Sequence, residues 1–530
     1  MTKKIIFSLT VLAGMAIQPA VSAFTMLGPY AFYQTADIGY NSGATRLARE
    51  GDAGGPMNRD EGYRWTTPVV TYTFDESFTD YFGAQGVAAV EAAFKVLNDL
   101  PAASETDAEL SAFPLQATRI NTVAAQLGLY DVKSVTLSVL LEILGLGSPE
   151  RYTYSMHSRN AANNVSIVDI RNFDPINILP SPRVNGTLYT YQVRHFTGLA
   201  DFYDAQEIPV DTAQPNLSVV AFADTQIGLV DGKIFSALYD TQGFYYTGLS
   251  RDDMGGLRYL YNRGSVRRES LPGDVLLAAQ DKTGATGVVD IGQGLSSSPW
   301  RLISSNPQGA TNTTTGTTSI SGVSVPYPFG TYITTSTLNA GNTASNAVTQ
   351  IVFTGKRAGV DKIKFVNVDK YYDPLLMVST NGYLVTFNDV VVALNGSGTF
   401  RQRVGRLQPH ADIVISANDL GTVSGQKPFL YGRSSATTAY YLNTSGGSSG
   451  EAHSGPGIID PDATGNGVGA SPIEIVFNKL GNYFLNSGQS TQSEGIAGEM
   501  WGTFDGSTNA PFVYPPAIDI RSYSRAIFGN

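Results

Sequence analysis

Helical periodicity is confined to the first half of this 530-residue chain, and this asymmetry limits the folds that the chain can adopt. Apolar residues recur at helical spacing over 83–100 and 117–127, and residues 132–144 are apolar nearly all round the helix. A fourth helix is predicted after Ser250, which can cap it in a capping-box pattern. From Pro272 onward, short β-branched and aromatic runs alternate with turn residues. The pattern predicts an α+β first half and a β-rich second half.

Composition suggests where the domains begin and end. We predict an α+β domain over 24–270, a polar linker or β-rich segment over 271–345, and a β-rich, β-sandwich-like domain over 346–530. The Asn395-Gly396 pair between two strand-like runs predicts a hairpin turn. The strands predicted along the chain are 68–74, 166–170, 188–193, 217–222, 348–354, 362–368, 383–387, 390–394, 412–416 and 473–477.

The first 23 residues have the pattern of a secretory signal peptide. Lys3 and Lys4 precede an apolar run over 5–17, and Val21 and Ala23 are small residues at the −3 and −1 positions of a cleavage site. The run is shorter than the roughly 20 residues that a membrane span needs. We therefore expect an exported protein, secreted, periplasmic or on the cell surface. Its mature chain begins at Phe24 and has no membrane span.

Charge and cysteine content exclude several function classes. The chain has 35 Lys and Arg against 45 Asp and Glu, a net charge of −10, so its surface repels nucleic-acid phosphates. It has no cysteine, which excludes disulfides and thiolate zinc sites. The 28 tyrosines, several in doublets, suit a β-rich surface that binds another protein or a glycan, although packing of the core is the alternative role. The expected partner is an extracellular protein or glycan.

Three short segments carry a family resemblance. Residues 71–74 and the helix that follows over 88–94 are similar to the first strand and helix of matrixin-like metzincin metallopeptidases. Residues 249–261 resemble the last helix of that family, and residues 141–148 resemble a shortened active-site helix. The resemblance covers about 200 residues. It implies a twisted sheet with long helices for the α+β domain, and it implies that Glu142 stands where the family has its general base.

The residues that bind zinc in that family are missing here. A metzincin site needs H-E-x-x-H on a helix and a third histidine after a glycine turn. Leu141 stands where the first histidine is expected, and Leu238 stands where the family has the methionine of its Met-turn. The histidines available for a non-standard zinc set are His157 and His195, with carboxylates from Asp201, Asp204 or Glu207.

Two hypotheses follow from these departures. The first is a non-catalytic binding or structural protein that reuses a protease-like fold and needs no cofactor. The second is a secreted zinc metallopeptidase with a non-standard ligand set, in which Glu142 is the base. A carbohydrate-active enzyme is a third possibility, and it would need two carboxylates facing one cleft.

A second metal, calcium, is suggested by one loop in the last part of the chain. Asp460, Asp462, Thr464 and Asn466 place oxygen-bearing side chains at alternate positions, with Gly465 at the sixth. Ser471 occupies the twelfth position, where such loops carry a bidentate acid. The segment is therefore either a weak calcium site or a polar glycine-rich turn.

Overall fold

The structure is a computed structural model. It describes residues 23–28, 55–59, 61–147, 149–160, 162–163, 165–196, 202–209, 227–230, 233–236, 242–272, 275–277, 311–314, 331–335, 349–369, 383–392, 399–408, 411–418, 431–434, 456–458, 472–479 and 500–516. Within these residues the fold mixes α and β structure and is rich in strands.

The described residues contain five α-helices and thirty strands. The helices are α1 (Glu76–Asn98), α2 (Thr122–Gln126), α3 (Val132–Ile143), α4 (Pro149–Tyr152) and α5 (Arg251–Tyr261), with a 3₁₀ turn at Ala103–Glu105. The first fifteen strands are β1 (Phe24–Gly28), β2 (Gly55–Pro56), β3 (Gly62–Arg64), β4 (Val69–Phe74), β5 (Thr118–Ile120), β6 (Leu129–Asp131), β7 (Leu146–Gly147), β8 (Tyr154–Asn160), β9 (Val165–Ile170), β10 (Asn172–Phe173), β11 (Arg183–Val184), β12 (Thr187–Phe196), β13 (Phe202–Pro209), β14 (Ile227–Val230) and β15 (Lys233–Ser236). The others are β16 (Phe244–Tyr246), β17 (Arg267–Ser270), β18 (Val275–Leu277), β19 (Thr311–Thr314), β20 (Thr331–Thr335), β21 (Thr349–Arg357), β22 (Lys364–Asn367), β23 (Tyr383–Val392), β24 (Thr399–Gln408), β25 (Ile413–Asn418), β26 (Tyr431–Ser434), β27 (Pro456–Ile458), β28 (Ile473–Asn478), β29 (Met500–Thr503) and β30 (Phe512–Val513).

The central sheet takes its strands from both halves of the chain. Its order is β22-β4-β25-β28-β26, and only β4 comes from the predicted α+β domain. β22 and β25 flank β4 in parallel, β28 runs parallel to β25, and β26 closes the edge in the antiparallel direction. The predicted limits 24–270 and 346–530 are therefore not limits of the sheets. The strands β22, β25, β28 and β26 complete a mainly parallel sheet around β4. They do not pair with one another as a sheet separate from β4.

Two shorter pairings also join distant parts of the chain. β27 runs parallel to β3, and β29 runs parallel to β6. An antiparallel seven-stranded sheet has the order β18-β24-β23-β21-β20-β19, with β17 beside β21. In it β23 and β24 form a hairpin that pairs Val392 with Thr399, so the predicted hairpin is confirmed, although its Asn395-Gly396 turn lies outside the described residues. The runs predicted at 383–387 and 390–394 are one continuous strand, β23.

Helix α1 covers one face of the central sheet with aromatic residues. The Tyr72 ring stacks on Phe94 with 3.7 Å between centroids, and Phe82 lies 5.7 Å from Phe477. The helix begins at Glu76, earlier than the predicted Gly83, because the Asp75 side chain caps it by accepting a hydrogen bond from the amide of Phe78. Gly83 has a φ of 60° and interrupts the helix, which explains why helical periodicity in the sequence starts there.

The other predicted helices agree with the structure to different degrees. α3 over Val132–Ile143 and the capping box of Ser250 on α5 are confirmed. The predicted helix 117–127 is wrong in its first part, because residues 118–120 form β5 and pair with β16. Only α2 remains helical there, capped by Asn121. Among helices in the described part of the chain, none combines the length and hydrophobicity that crossing a bilayer requires.

Candidate functional site

Helix α3, where the resemblance puts an active site, lies inside the protein. Eleven of its twelve residues are buried. Leu137, Val139, Leu140 and Leu141 are completely inaccessible to solvent, and only Lys133 is partly exposed. Glu142 lies in the last turn and is 7% exposed. A general base must reach a substrate or a water molecule, and this helix presents its residues to neighbouring elements instead.

The turn that follows α3 is closed by backbone contacts. Gly145 has a φ of +96°, and its carbonyl accepts a hydrogen bond from the amide of Leu27 on β1 at 2.9 Å. The Tyr261 hydroxyl on α5 donates to the carbonyl of Leu144 at 2.7 Å. Trp65 donates from its indole N–H to the carbonyl of Ile143 at 2.9 Å. The carbonyl groups at the end of α3 are thus bound by protein groups around Glu142.

The two histidines predicted as zinc ligands lie on separate hairpins. His157 is on β8 at an irregularity in its pairing with β9, and His195 is on β12 with its Cα opposite Tyr203 on β13. The structure describes the backbone but not the side chains of these histidines. Within the residues that it does describe, no group of three or more His, Asp or Glu side chains could hold a metal ion. A zinc set with His157 and His195 stays a prediction.

The predicted calcium loop, with Asp460, Asp462, Thr464 and Asn466, lies outside the described residues. The described strand nearest to it in sequence is β27, which ends at Ile458. A calcium site there also stays a prediction.

The carboxyl edge of the parallel sheet is filled by the start of α1. Ligands often bind at this edge in open α/β sheets. Here the Asp75 amide donates to the carbonyl of Ile415 at 3.0 Å, and the Ser77 hydroxyl accepts from the amide of Ala417 at 2.9 Å. Asp369 accepts hydrogen bonds from the Thr73 hydroxyl and the Phe74 amide at 2.6 and 3.1 Å. These polar groups hold β4, β25 and the start of α1 together, so among the described residues this part of the edge is occupied by protein groups.

A polar cluster that the sequence analysis missed lies at the start of α3. Asp131 is 1% exposed, and its Oδ2 accepts hydrogen bonds from the amide and hydroxyl of Ser134 at 3.0 and 2.6 Å. The Ser134 hydroxyl in turn accepts from the amide of Tyr246 at 2.8 Å. Burial raises the pKa of Asp131 to about 6, which these hydrogen bonds offset only in part. The sequence feature that could have indicated this cluster is an aspartate three residues before a serine at the start of a predicted helix.

Further buried carboxylates are bound by arginines. Arg64 binds Glu269 through two hydrogen bonds of 2.5 and 2.8 Å, and Arg357 binds Asp389 through two of 2.9 and 3.0 Å. Arg357 also donates to the carbonyl of Glu269 at 2.7 Å. Paired carboxylates of a glycoside hydrolase must face a substrate, whereas Glu269 and Asp389 face arginines. These groups are structural.

The concave space between α1 and α5 is too small for a substrate. A cavity of about 40 Å³ lies there, with walls of mainly apolar side chains from Leu97, Leu144, Leu257, Ile363 and Phe365. Ligand pockets are about 300–1,000 Å³, so this cavity has room for a few water molecules only.

Apolar and aromatic side chains are exposed on two neighbouring hairpins. Val165 and Ile167 on β9 are 50% and 54% exposed, and Tyr191 on β12 is also exposed. Tyr154 on β8 lies against Tyr191 with 4.6 Å between ring centroids, and its hydroxyl donates to the carbonyl of Tyr189 at 3.0 Å. The β8–β9 and β12–β13 hairpins thus lie side by side.

Searches for similar proteins found no family model, no curated protein and no solved structure that matches this chain.

Proposed function

We propose that this chain is an exported, non-catalytic protein with a binding or structural role, built on a fold that resembles a metzincin peptidase. The observation that carries the proposal is the burial of α3. Its residues pack on all sides, and Glu142 is enclosed with them. A catalytic helix in a peptidase needs one face open to metal, water and substrate.

The resemblance itself is supported by how the elements pack. Strand β4 and helices α1, α3 and α5, whose order suggested it, contribute Val70, Phe82, Leu140 and Leu257 to one hydrophobic core. A fold can persist after its chemistry is lost, because function lies in the site residues. Here the position of the first zinc-binding histidine carries Leu141, which suits a packed core.

The proposed partner is an extracellular protein or a glycan. The exposed Val165, Ile167 and Tyr191 support this role, because apolar and aromatic side chains exposed together are typical of recognition surfaces. The net charge of −10 disfavours an acidic partner.

One observation favours the alternative, a zinc metallopeptidase with non-standard ligands. The contact between Tyr154 and Tyr191 brings β8 and β12 together, and these strands carry His157 and His195. In an extended strand each residue advances about 3.3 Å, so both histidines lie within about 15 Å of this contact along their strands.

Metal analysis of the exported, purified chain separates the two functions. The proposal predicts less than about 0.1 zinc per chain, no hydrolysis of a casein substrate, and the same melting temperature with EDTA or added zinc. Stoichiometric zinc with a melting temperature that falls in EDTA would contradict it. In that event His157→Ala and His195→Ala should each abolish zinc binding, whereas the matched substitution His453→Ala should not.

A further inference from the structure

The hairpins β8–β9 and β12–β13 meet at a pair of tyrosine rings. The ring centroids of Tyr154 and Tyr191 are 4.6 Å apart, and the rings are tilted by 41°. This distance is at the short end of the roughly 4.5–7 Å that is typical of aromatic pairs. In every other ring contact between described residues, at least one partner is phenylalanine or tryptophan. Two phenol rings in contact can couple by oxidation, whereas a phenol and a phenylalanine ring cannot form that bond.

Both rings are held in position, and one of them is open to solvent. The Tyr154 ring is half-buried, and its hydroxyl donates to the carbonyl of Tyr189 at 3.0 Å. Tyr189 and Tyr191 lie on the same strand, β12, so this hydrogen bond keeps the Tyr154 ring beside that strand. Tyr191 is 42% exposed. A small oxidant in solution can therefore reach Tyr191 while Tyr154 stays in contact with it.

The two hairpins are not joined by a hydrogen-bonded strand pair in the described part of the chain. β8 pairs with β9, whereas β12 pairs with β11 and β13 in a separate sheet. The chain has no cysteine, so no disulfide can join them. Exported proteins often use disulfides for this purpose, because their surroundings are oxidising. A bond between Tyr154 and Tyr191 would supply a covalent link of another kind.

We propose that Tyr154 and Tyr191 form a modification site, at which oxidation joins the two rings in a dityrosine cross-link. This role rests on the proposed function, because Tyr191 belongs to the exposed surface proposed for recognition and export brings the chain to an oxidising compartment. The cross-link fixes the β8–β9 hairpin, which carries the exposed Val165 and Ile167, against β12. It thereby holds the surface in one shape, which reduces the entropy lost when a partner binds.

The coupling reaction needs a peroxide and a one-electron catalyst such as a haem peroxidase. Each phenol gives up one electron and one proton and becomes a phenoxyl radical. The two radicals join through ring carbons next to the oxygens, and one carbon–carbon bond forms. The hydrogen on each of these carbons then moves to the oxygen of the same ring, which restores both phenols. In total the rings lose two hydrogen atoms, and these reduce one molecule of hydrogen peroxide to two molecules of water.

Oxidation of the purified chain tests this site. The chain is treated at low concentration with a haem peroxidase and limiting hydrogen peroxide, and the monomer is digested and analysed by mass spectrometry. We expect the peptides that contain Tyr154 and Tyr191 to be joined, with a mass two hydrogen atoms below their sum. This product should be at least about 10-fold more abundant than any other joined tyrosine pair, because contact in the fold raises the effective concentration of the two rings. In urea, where the contact is lost, the preference should disappear.

Two variants show whether this ring pair is responsible. Tyr191→Phe keeps the ring but removes the phenol, so it should abolish the product without changing the circular dichroism spectrum. The matched control is Tyr245→Phe, because the Tyr245 ring lies 6.2 Å from that of Phe504, which is not a phenol. This control should form the product in the same amount as the wild type.

Three results would overturn the proposed cross-link. These are the absence of joined Tyr154 and Tyr191 peptides in the native chain, their joining only between separate chains, and equal abundance of the product in buffer and in urea. The zinc measurement tests the proposed function separately. A zinc-free chain without the cross-link would refute the cross-link alone, whereas stoichiometric zinc in a chain that forms the cross-link would refute the non-catalytic role alone.

Discussion

Asp131 shows at the scale of one residue how burial couples the protein to pH. Its carboxyl group caps α3 but lies where water cannot reach it, beside Gly502 of β29 in the paired backbone. The folded state raises its pKa from 3.8 to about 6 and so holds the proton more tightly than the unfolded chain does. The stability contributed by neutral Asp131 is therefore fully present below pH 3.8 and is lost as the pH rises through 6.

The substitution Asp131→Asn tests this coupling. Asparagine keeps a capping oxygen for the amide of Ser134 but has no charge to bury. As the pH rises from 4 to 7.5, the free energy of unfolding of the variant should rise relative to that of the wild type by about 2.5 kcal/mol, because the pKa shift from 3.8 to about 6 takes effect mostly within this range. Urea unfolding at the two pH values measures it.

The matched control is Asp75→Asn at the start of α1. Asp75 also caps a helix, accepting a hydrogen bond from the Phe78 amide at 3.0 Å, but its side chain is only partly buried. The control should change by less than about 1 kcal/mol over the same range. Parallel pH curves for wild type and Asp131→Asn would show that the buried carboxyl does not carry the effect.

Single residues with local roles were predictable, and those with distant partners were not. Ser250 was identified as a helix cap because its partner Asp253 lies three residues away. The burial of Asp131 depends on β29, more than 360 residues further along the chain. Nothing in the sequence near Asp131 indicates that β29 packs beside it.

At the scale of elements, the turn after α3 depends on a glycine for two separate reasons. Gly145 has a φ of +96°, which disfavours any side chain, and a Cβ there would overlap the carbonyl oxygen of Tyr63. Tyr63 lies on β3, which pairs with β27. The end of α3 is thus fixed against a strand pair built from both halves of the chain.

The substitution Gly145→Ala should therefore lower the free energy of unfolding by more than the strain of an alanine in the left-handed region would. We expect a loss of at least about 3 kcal/mol in free energy of unfolding, since the backbone of Tyr63 or of the turn must move. Gly186→Ala is the matched control, because Gly186 has a φ of +86° but open space around its Cβ. It should lose about 1 kcal/mol. Equal losses in thermal or urea unfolding would show that the close approach to Tyr63 is unimportant.

Elements were predicted best where their own residues determine them. Helix α3 was found almost to the residue, because residues that are apolar nearly all round a helix and are followed by Gly145 form a local pattern. The predicted helix 117–127 was wrong at its start, because pairing of β5 with Phe244–Tyr246 outweighs helical periodicity there. The prediction that Glu142 is a general base also rests on local sequence alone. Spacing places Glu142 on a helix but does not show which elements cover that helix.

At the scale of the whole molecule, composition was a poor guide to which strands pair. The polar segment 271–345 looked like a boundary, yet β4 lies between β22 and β25, which are about 290 and 340 residues further along the chain. A buried ion pair adds to this connection, because Arg64 binds the side chain of Glu269. The backbone carbonyl of Glu269 in turn accepts a hydrogen bond from Arg357. Breaking such a pair leaves a buried charge without a partner.

A fragment limited to the predicted first domain should therefore not fold. Residues 24–270 contain β4 but neither of its neighbours, so both edges of a strand with five of six residues buried would be exposed. The fragment should give no cooperative thermal transition by circular dichroism, and its amides should exchange within seconds. When residues 271–530 are co-expressed as a separate chain, the two pieces should purify together and melt as one unit, because the central sheet needs strands from both. A cooperative transition in the 24–270 fragment alone would contradict the shared sheet and restore the two-domain organisation that the sequence predicts.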